Sequence, residues 1–186
     1  MRTLFFRQYL GNLRSVGAIA PSSRHLARKM VAAIDFDTAN VIVEYGPGTG
    51  TITAEIVPRL HPDATLLLIE TNQAFCTHLR EIYRDNPAVK VIHGSAAATA
   101  KHLRTHKLAP PDAIISGLPF AALPGDISRA ILDTTVKLLG DRGVFVAFQY
   151  TLLKRELFER YFSTLRITRE IRNLPPAYVF RCDNQS

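Results

Sequence analysis

Two acids and three glycines hold most of the chemistry open to this 186-residue chain. Glu44 ends the apolar, β-branched run Val41-Ile42-Val43, and Gly46, Gly48 and Gly50 follow at alternate positions. Residues 51–57 then read as helix. Strand, glycine-rich turn and helix N-terminus make a corner where backbone comes close to a ligand and amide N–H groups point at it. The spacing is Glu-x-Gly-x-Gly-x-Gly, not the Gly-x-Gly-x-x-Gly of a pyrophosphate site. Glu70 lies twenty residues past Gly50, at the end of the apolar run 64–69. An acid ending the neighbouring parallel strand accepts hydrogen bonds from ribose hydroxyls. The two features predict a nucleoside-bearing cofactor. Either alone also occurs as plain architecture, a βα turn or a strand-end charge.

The stretch from Glu44 to Gly50 resembles the first motif of the class I S-adenosylmethionine methyltransferases. That resemblance implies S-adenosyl-L-methionine as cofactor and S-adenosyl-L-homocysteine as product. It puts Glu44 near the cofactor's amino-acid end and gives the sugar to Glu70, with Thr71 beside it. Ser95 and Ala96 follow the third strand, where these enzymes often carry an acid facing the adenine amino group. Ser116 ends the fourth strand at the same rim. Ser22 or Ser23 can cap a helix, and such a helix start can also receive the methionine carboxylate. His93 reads as a strand-end residue.

Gly117-Leu118-Pro119-Phe120 stands where enzymes that methylate the exocyclic amine of adenine carry Asn-Leu-Pro-Tyr or Asn/Asp-Pro-Pro-Tyr. Those enzymes need two acceptors, because the amine's lone pair is delocalised into the ring, and they stack an aromatic on the flipped base. Here the aromatic stays and Gly117 replaces Asn, which suits an aliphatic amine that needs mainly alignment. With residues 15–23 and 173–179 added, the chain resembles the small bacterial phospholipid N-methyltransferases over essentially its full length. The resemblance implies stepwise methylation of phosphatidylethanolamine toward phosphatidylcholine, by a cytoplasmic protein held at the inner face of the cell membrane. Gly117, Leu118 and Phe120 would place the amine. Phe120, Tyr150 and Tyr178 would wall the ammonium through cation–π attraction. Arg24, Arg172 and Tyr178 would take the lipid phosphate. Read structurally, the same residues are core aromatics and solvated charges. The alternative function is a ribosomal RNA adenine N6-methyltransferase whose basic arm grips phosphates; a third reading is a binding module on a dead scaffold.

Charge placement bears on that choice. Six of the seven net positive charges fall in residues 1–30, which contain no Asp or Glu. On a helical wheel of residues 2–14, Phe5, Phe6 and Leu10 share one face, with Arg7 and Arg14 at its margin and Arg2 at its start. This is the layout of a helix lying in a membrane interface, and equally of a helix packed on the domain. Cys76 and Cys182 make no metal spacing, and no metal is expected. No apolar run reaches bilayer length, and the interrupted N-terminus is not a signal peptide.

The remaining elements alternate: strands over 64–69, 89–93, 112–116 and 143–150, helices over 72–83, 96–106, 124–139 and 151–162, then a closing strand pair over 165–172 and 178–182. The fold class expected is α/β, a Rossmann-like class I methyltransferase fold. Its seven-stranded, mostly parallel sheet would have an antiparallel C-terminal strand, preceded by N-terminal amphipathic helices. One domain should cover 1–186, with basic helices in 1–36 and the core in 37–186, and the protein should be a monomer.

Overall fold

The computed structural model describes residues 23–184, so the interfacial helix expected from Arg2, Phe5, Phe6, Arg7, Leu10 and Arg14, together with Ser22, lies outside the described residues. The first described helix, α1 (Arg24–Val31), is capped by Ser23, whose hydroxyl accepts the Leu26 N–H at 3.2 Å. Leu26, Ala27, Met30 and Val31 form its buried stripe, and Arg28 and Lys29 complement the dipole in its last turn. The chain then alternates through β1 (Val41–Tyr45), α2 (Thr53–Ile56), β2 (Thr65–Glu70), α3 (Gln73–Ile82), β3 (Val89–His93), α4 (Thr99–Thr105) and β4 (Ala113–Ser116). The long helix α5 (Gly125–Leu139) leads to β5 (Val144–Gln149), α6 (Arg155–Glu159), β6 (Thr164–Glu170) and β7 (Ala177–Asp183). The sheet is seven-stranded, in the order β3-β2-β1-β4-β5-β7-β6, and β7 runs antiparallel to both neighbours.

Strands β1 and β2 are apolar on both faces because helices cover both. Alternation divides the core into two layers. Val43, Tyr45, Ile114, Phe145 and Phe180 face one, with Phe120 and Phe158. Ile42, Leu66, Leu68, Ile115 and Val146 face the other, where α1 inserts Leu26 and Met30. Each fully buried side chain of this kind contributes roughly 1.5–3 kcal/mol.

Two expected helices are shorter than their patterns. The one expected over 51–57 narrows to α2 and passes into a 3-10 turn over Val57–Arg59, because Pro58 offers no N–H to continue it. The one expected over 151–162 narrows to α6, whose Phe158 is fully buried, and leaves Leu152 and Leu153 in an exposed turn. Strand order reverses between β1 and β4, so the ligand crevice of an open α/β sheet falls beyond the C-terminal ends of those two strands.

Candidate functional site

At that crevice two loops touch through bare backbone. Gly46, Gly48 and Gly50 all have positive φ (63°, 58° and 86°), a region L side chains rarely enter. A Cβ at Gly46 would lie 2.7 Å from Cδ2 of Leu118, and one at Gly117 would lie 2.8 Å from the Gly46 carbonyl oxygen. At Gly117 backbone leaves no room for a side chain, and at Gly46 the positive φ disfavours one, so both turns rely on glycine. Hydrogen bonds continue past the strand ends: Gly46 N–H donates to the Ile69 carbonyl at 2.9 Å and Gly117 N–H to the Tyr45 carbonyl at 2.8 Å.

Both acids stand at this edge. Glu44 is fully buried on the α1 side of the sheet. Its Oε2 accepts the Thr53 hydroxyl at 2.7 Å, while Oε1 is buried with no hydrogen-bond partner. Burial first and the nearby Glu70 second push its carboxyl up to about 8, against the lowering effect of the Thr53 hydrogen bond. A buried acid with one unsatisfied oxygen fits a cationic group, whose charge would stabilise the carboxylate. Glu70 is also buried; its Oε1 accepts the backbone N–H groups of Thr71 (2.8 Å) and Asn72 (2.9 Å), and its Oε2 that of Gly48 (3.1 Å). It thereby ties the glycine turn to the turn after β2, with half-buried Thr71 beside it. The orphaned Glu44 oxygen, at the strand edge beside the glycine turn, fits a cofactor with a cationic end.

The other serines serve the backbone. Ser95 caps the 3-10 turn Ala96–Ala98 by accepting the Ala97 N–H at 3.3 Å, and Ala96 is buried. Ser116 is fully buried, and its hydroxyl accepts the Leu118 N–H at 3.2 Å, so it shapes the turn. Ser23 caps α1, and its own N–H donates to Asn173 Oδ1 at 2.8 Å.

The structure corrects the expected acceptor residues. Phe120 is fully buried, edge-on to Phe145 and Phe158 with centroids 6.3 and 5.3 Å apart, so it is a core side chain and walls no pocket. The Leu118 carbonyl already accepts the Phe120 N–H at 3.0 Å and Gln149 Nε2 at 3.1 Å, so both its lone pairs serve the loop. The three expected aromatic walls do not converge. Tyr178 pairs with Gln149 in the sheet and packs at the edge of the phenylalanine layer, whereas Tyr150 packs on the opposite layer beside Phe148. Register decides this, because adjacent residues of a strand face opposite ways. The expected phosphate ligands are already paired. Arg24 Nε lies 2.7 Å from Glu55, and Arg172 Nε 3.1 Å from Glu170, although both arginines remain largely exposed.

Four residues that the sequence reading does not single out as site residues organise the site and the scaffold around it. Gln149, 2% exposed, also accepts the Ala121 N–H at 3.2 Å, clamping residues 118–121 from both sides. It is the lone polar residue in the run Val144-Phe145-Val146-Ala147-Phe148-Gln149, a signal open to the sequence. Buried Thr53 holds Glu44. Asn173, 2% exposed, joins the start of α1 to the β6–β7 hairpin and donates to the Pro175 carbonyl at 2.7 Å. Glu55 gathers Arg24, Arg28 and Arg59, and the Arg24 hydrogen bond leads in holding its carboxyl down at about 2. Among the described residues no cluster of His, Cys, Asp and Glu could hold a metal ion, and no helix is long and apolar enough to cross a membrane.

Comparison with known proteins fits this geometry. The chain is 29% identical over 180 residues to the ornithine lipid N-methyltransferase of Singulisphaera acidiphila, covering 96% of this chain and 94% of that one. It is 32% identical over 71 residues to ribosomal RNA small subunit methyltransferase A of Geobacter metallireducens, covering 38% of this chain and 25% of that protein. Its fold matches the precorrin-6y C5,15-methyltransferase of Geobacter metallireducens with a TM-score of 0.67 at 16% identity, over 87% of this chain and 88% of that one. An rRNA methylase from Streptococcus thermophilus matches with a TM-score of 0.62 at 15% identity, over 90% and 99%. The sequence profile of the family described as ribosomal RNA adenine dimethylase matches residues 22–169. The chain belongs to that family, within the class I methyltransferases, and is a methyltransferase that uses S-adenosylmethionine.

Proposed function

We propose that this methyltransferase acts on the primary aliphatic amine of a membrane lipid headgroup, at the inner face of the cell membrane and as a monomer. We name phosphatidylethanolamine, methylated stepwise toward phosphatidylcholine, as its substrate; an ornithine lipid offers the same amine chemistry. The observation that carries this reading is the extent of likeness to the lipid N-methyltransferase, 94% of that protein's length. By sequence, ribosomal RNA small subunit methyltransferase A of Geobacter metallireducens and that of Dehalococcoides mccartyi are matched over only 25% and 35% of theirs.

The residues that would hold the cofactor are Glu44, the turn from Gly46 to Gly50, and Glu70. When bound, S-adenosylmethionine supplies an electrophilic methyl group carried on a positive sulfur. Glu44 offers a buried oxygen in want of a cation. Gly46 and Gly117 let the turns after β1 and β4 approach one another closely, and Gln149 stiffens the second of them. An adenine amine needs extra acceptors to gather its delocalised lone pair. This loop has little to offer it, since the Leu118 carbonyl is occupied and a Cβ at 117 would strike the Gly46 carbonyl. An aliphatic amine, once it has lost a proton to water, has its lone pair on nitrogen and needs alignment alone.

The test is transfer from labelled S-adenosylmethionine to phosphatidylethanolamine, to ornithine lipid and to ribosomal RNA, offered separately. Label in either lipid and none in RNA is expected, and the two lipid arms assign the headgroup. Label in RNA adenine with both lipids cold refutes the proposal.

A further inference from the structure

Five large hydrophobic side chains are exposed among the described residues, and four of them share one end of the molecule. Leu152 and Leu153 follow β5, and Ile171 and Leu174 lie in the hairpin joining β6 to β7. The register pairs Gln149 with Tyr178 and Glu170 with Ala177, so both loops emerge at the C-terminal end of β5. This is the end at which the glycine turn and the Gly117 loop form the crevice. The loops are also neighbours, since the Tyr150 hydroxyl lies beside Asn173, although outside hydrogen-bonding geometry. Leu153 and Leu174, 82% and 84% exposed, stand out most. Ile82, the fifth, ends α3 and so sits at the opposite end of the sheet.

The charge around these leucines has one dominant sign. Residues 150–155 and 169–174 contain Lys154, Arg155, Arg169 and Arg172 against the single acid Glu170. Glu170 is buried beneath Arg172 at 3.1 Å and Lys29 at 3.6 Å, so it is covered by more positive charge than it carries. Arg155 is held by Glu159 on α6 at 2.7 Å and Lys154 is half-buried, while Arg169 at the end of β6 is exposed beside the Tyr178 ring and Arg172 in the hairpin is 65% exposed. The start of α1 joins the same rim through the Ser23–Asn173 bond and adds Arg24, 75% exposed.

We infer that the turn at residues 151–154 and the hairpin at residues 171–176 form a docking surface for an anionic lipid bilayer. Leucine and isoleucine side chains would enter the headgroup boundary, with lysine and arginine paired to lipid phosphates around them. This rests on the lipid reading above and sharpens it: the crevice would open beside the membrane, so a headgroup amine reaches it while its acyl chains stay in the bilayer. A soluble partner with an apolar groove would not need the ring of cations. A nucleic acid would not need the protruding leucines.

The experiment measures partitioning of the full chain onto vesicles of phosphatidylethanolamine and phosphatidylglycerol. Leu153→Ser with Leu174→Ser is expected to weaken partitioning by about tenfold for each leucine. Ile82→Ser should leave it unchanged, and both proteins should bind S-adenosylmethionine like the parent, since all three side chains are exposed. Methylation of lipid dispersed in detergent should persist in the double variant while methylation on vesicles falls. Equal partitioning of parent and double variant overturns the proposal, as do equal losses from Ile82→Ser or a parent that binds no vesicles. Ribosomal RNA binding that the two serines abolish, without vesicle binding, also overturns it. Vesicle binding lost in the double variant with no lipid ever methylated keeps the docking surface and removes the substrate reading instead.

Discussion

Glu44 and Glu55 lie eleven residues apart on the same side of the sheet, and both carboxylates are hidden from solvent, at 0% and 4% exposure. Their chemistry is opposite. Glu44 has a single hydroxyl for company and is pushed up to about 8 by burial; Glu55 lies under three guanidinium groups and is held down at about 2, led by its Arg24 hydrogen bond. Burial sets the first value, and the arginine partners, led by Arg24, override burial to set the second. The difference separates a site from a scaffold. An acid satisfied by its own chain has nothing left to offer a ligand. An acid whose oxygen is left unsatisfied in a crevice costs stability that a cationic ligand can restore.

The sharpest way to break this division is at Phe120, which the motif puts in the site and the structure puts in the scaffold. Phe120→Ala should cost about 3–5 kcal/mol of stability, the usual loss for emptying a buried phenylalanine site. Denaturant unfolding measures it, and calorimetry on the remaining folded protein should find cofactor affinity nearly unchanged. A stable Phe120→Ala protein with lost turnover would return the ring to the acceptor pocket.

Glu44→Gln comes next. It keeps the shape and an acceptor for Thr53 but removes the charge a cation needs. Cofactor affinity should fall about 10- to 100-fold, the equivalent of about 1.5–3 kcal/mol for a charged hydrogen bond. Proton linkage gives a second reading. Glu44 is protonated in the free protein at neutral pH and should ionise against a cation, so binding should release a proton and tighten as pH rises toward about 8. Calorimetry in buffers of different ionisation enthalpy reads this directly. No proton release in the parent would remove Glu44 from the site.

Gln149→Leu probes the clamp, with a smaller effect. It strips the acceptor from the Ala121 N–H and one of two donors from the Leu118 carbonyl. A stability loss of about 1–3 kcal/mol is expected for the buried groups left unmet. Turnover should fall while cofactor affinity holds, because the loop beside the crevice loosens and the glycine turn does not. Equal losses in both would make Gln149 a general core residue.

How far this division was legible in the sequence follows from how local each feature is. The corner was readable because Glu44, three glycines and the helix start lie within ten consecutive residues, and the fold because apolar runs alternate with capped helices. Glu70 was readable because parallel strands of similar length end together. The acceptor walls were not. Whether Tyr150 and Tyr178 share a face depends on the β5–β7 register, a long-range pairing that local pattern does not encode. The direction of Phe120 depends on a clamp from Gln149, twenty-nine residues later, and on Phe145 and Phe158. The helix expected over 151–162 followed real periodicity, but Phe158 and Phe162 spend that pattern on the core and leave Leu152 and Leu153 outside.

The smallest effect expected is at Glu55, and its sign distinguishes the two acids. The Glu55 carboxyl is depressed in the folded protein, so its stabilisation is complete above its unfolded value of about 4.3 and disappears as pH falls toward about 2. Glu44 is raised, so its effect has the opposite sense: stability is undiminished below about 4.3 and declines as pH climbs toward about 8, by at most about 1.4 kcal/mol per pH unit. Glu170, held down at about 2 chiefly by Arg172, titrates in the same acid window as Glu55, so each variant must be read as a difference from the parent. Subtracting Glu55→Gln from the parent should leave a curve that changes only below about pH 4.3, with cofactor affinity unmoved. The same subtraction for Glu44→Gln should change only above it. Added salt should flatten the Glu55 curve, whose arginines face solvent, and leave the Glu44 curve alone, since no mobile ion reaches that carboxylate. Curves that bend in one shared window would mean the two acids titrate as one group, and the division between site and scaffold would fail at its simplest point.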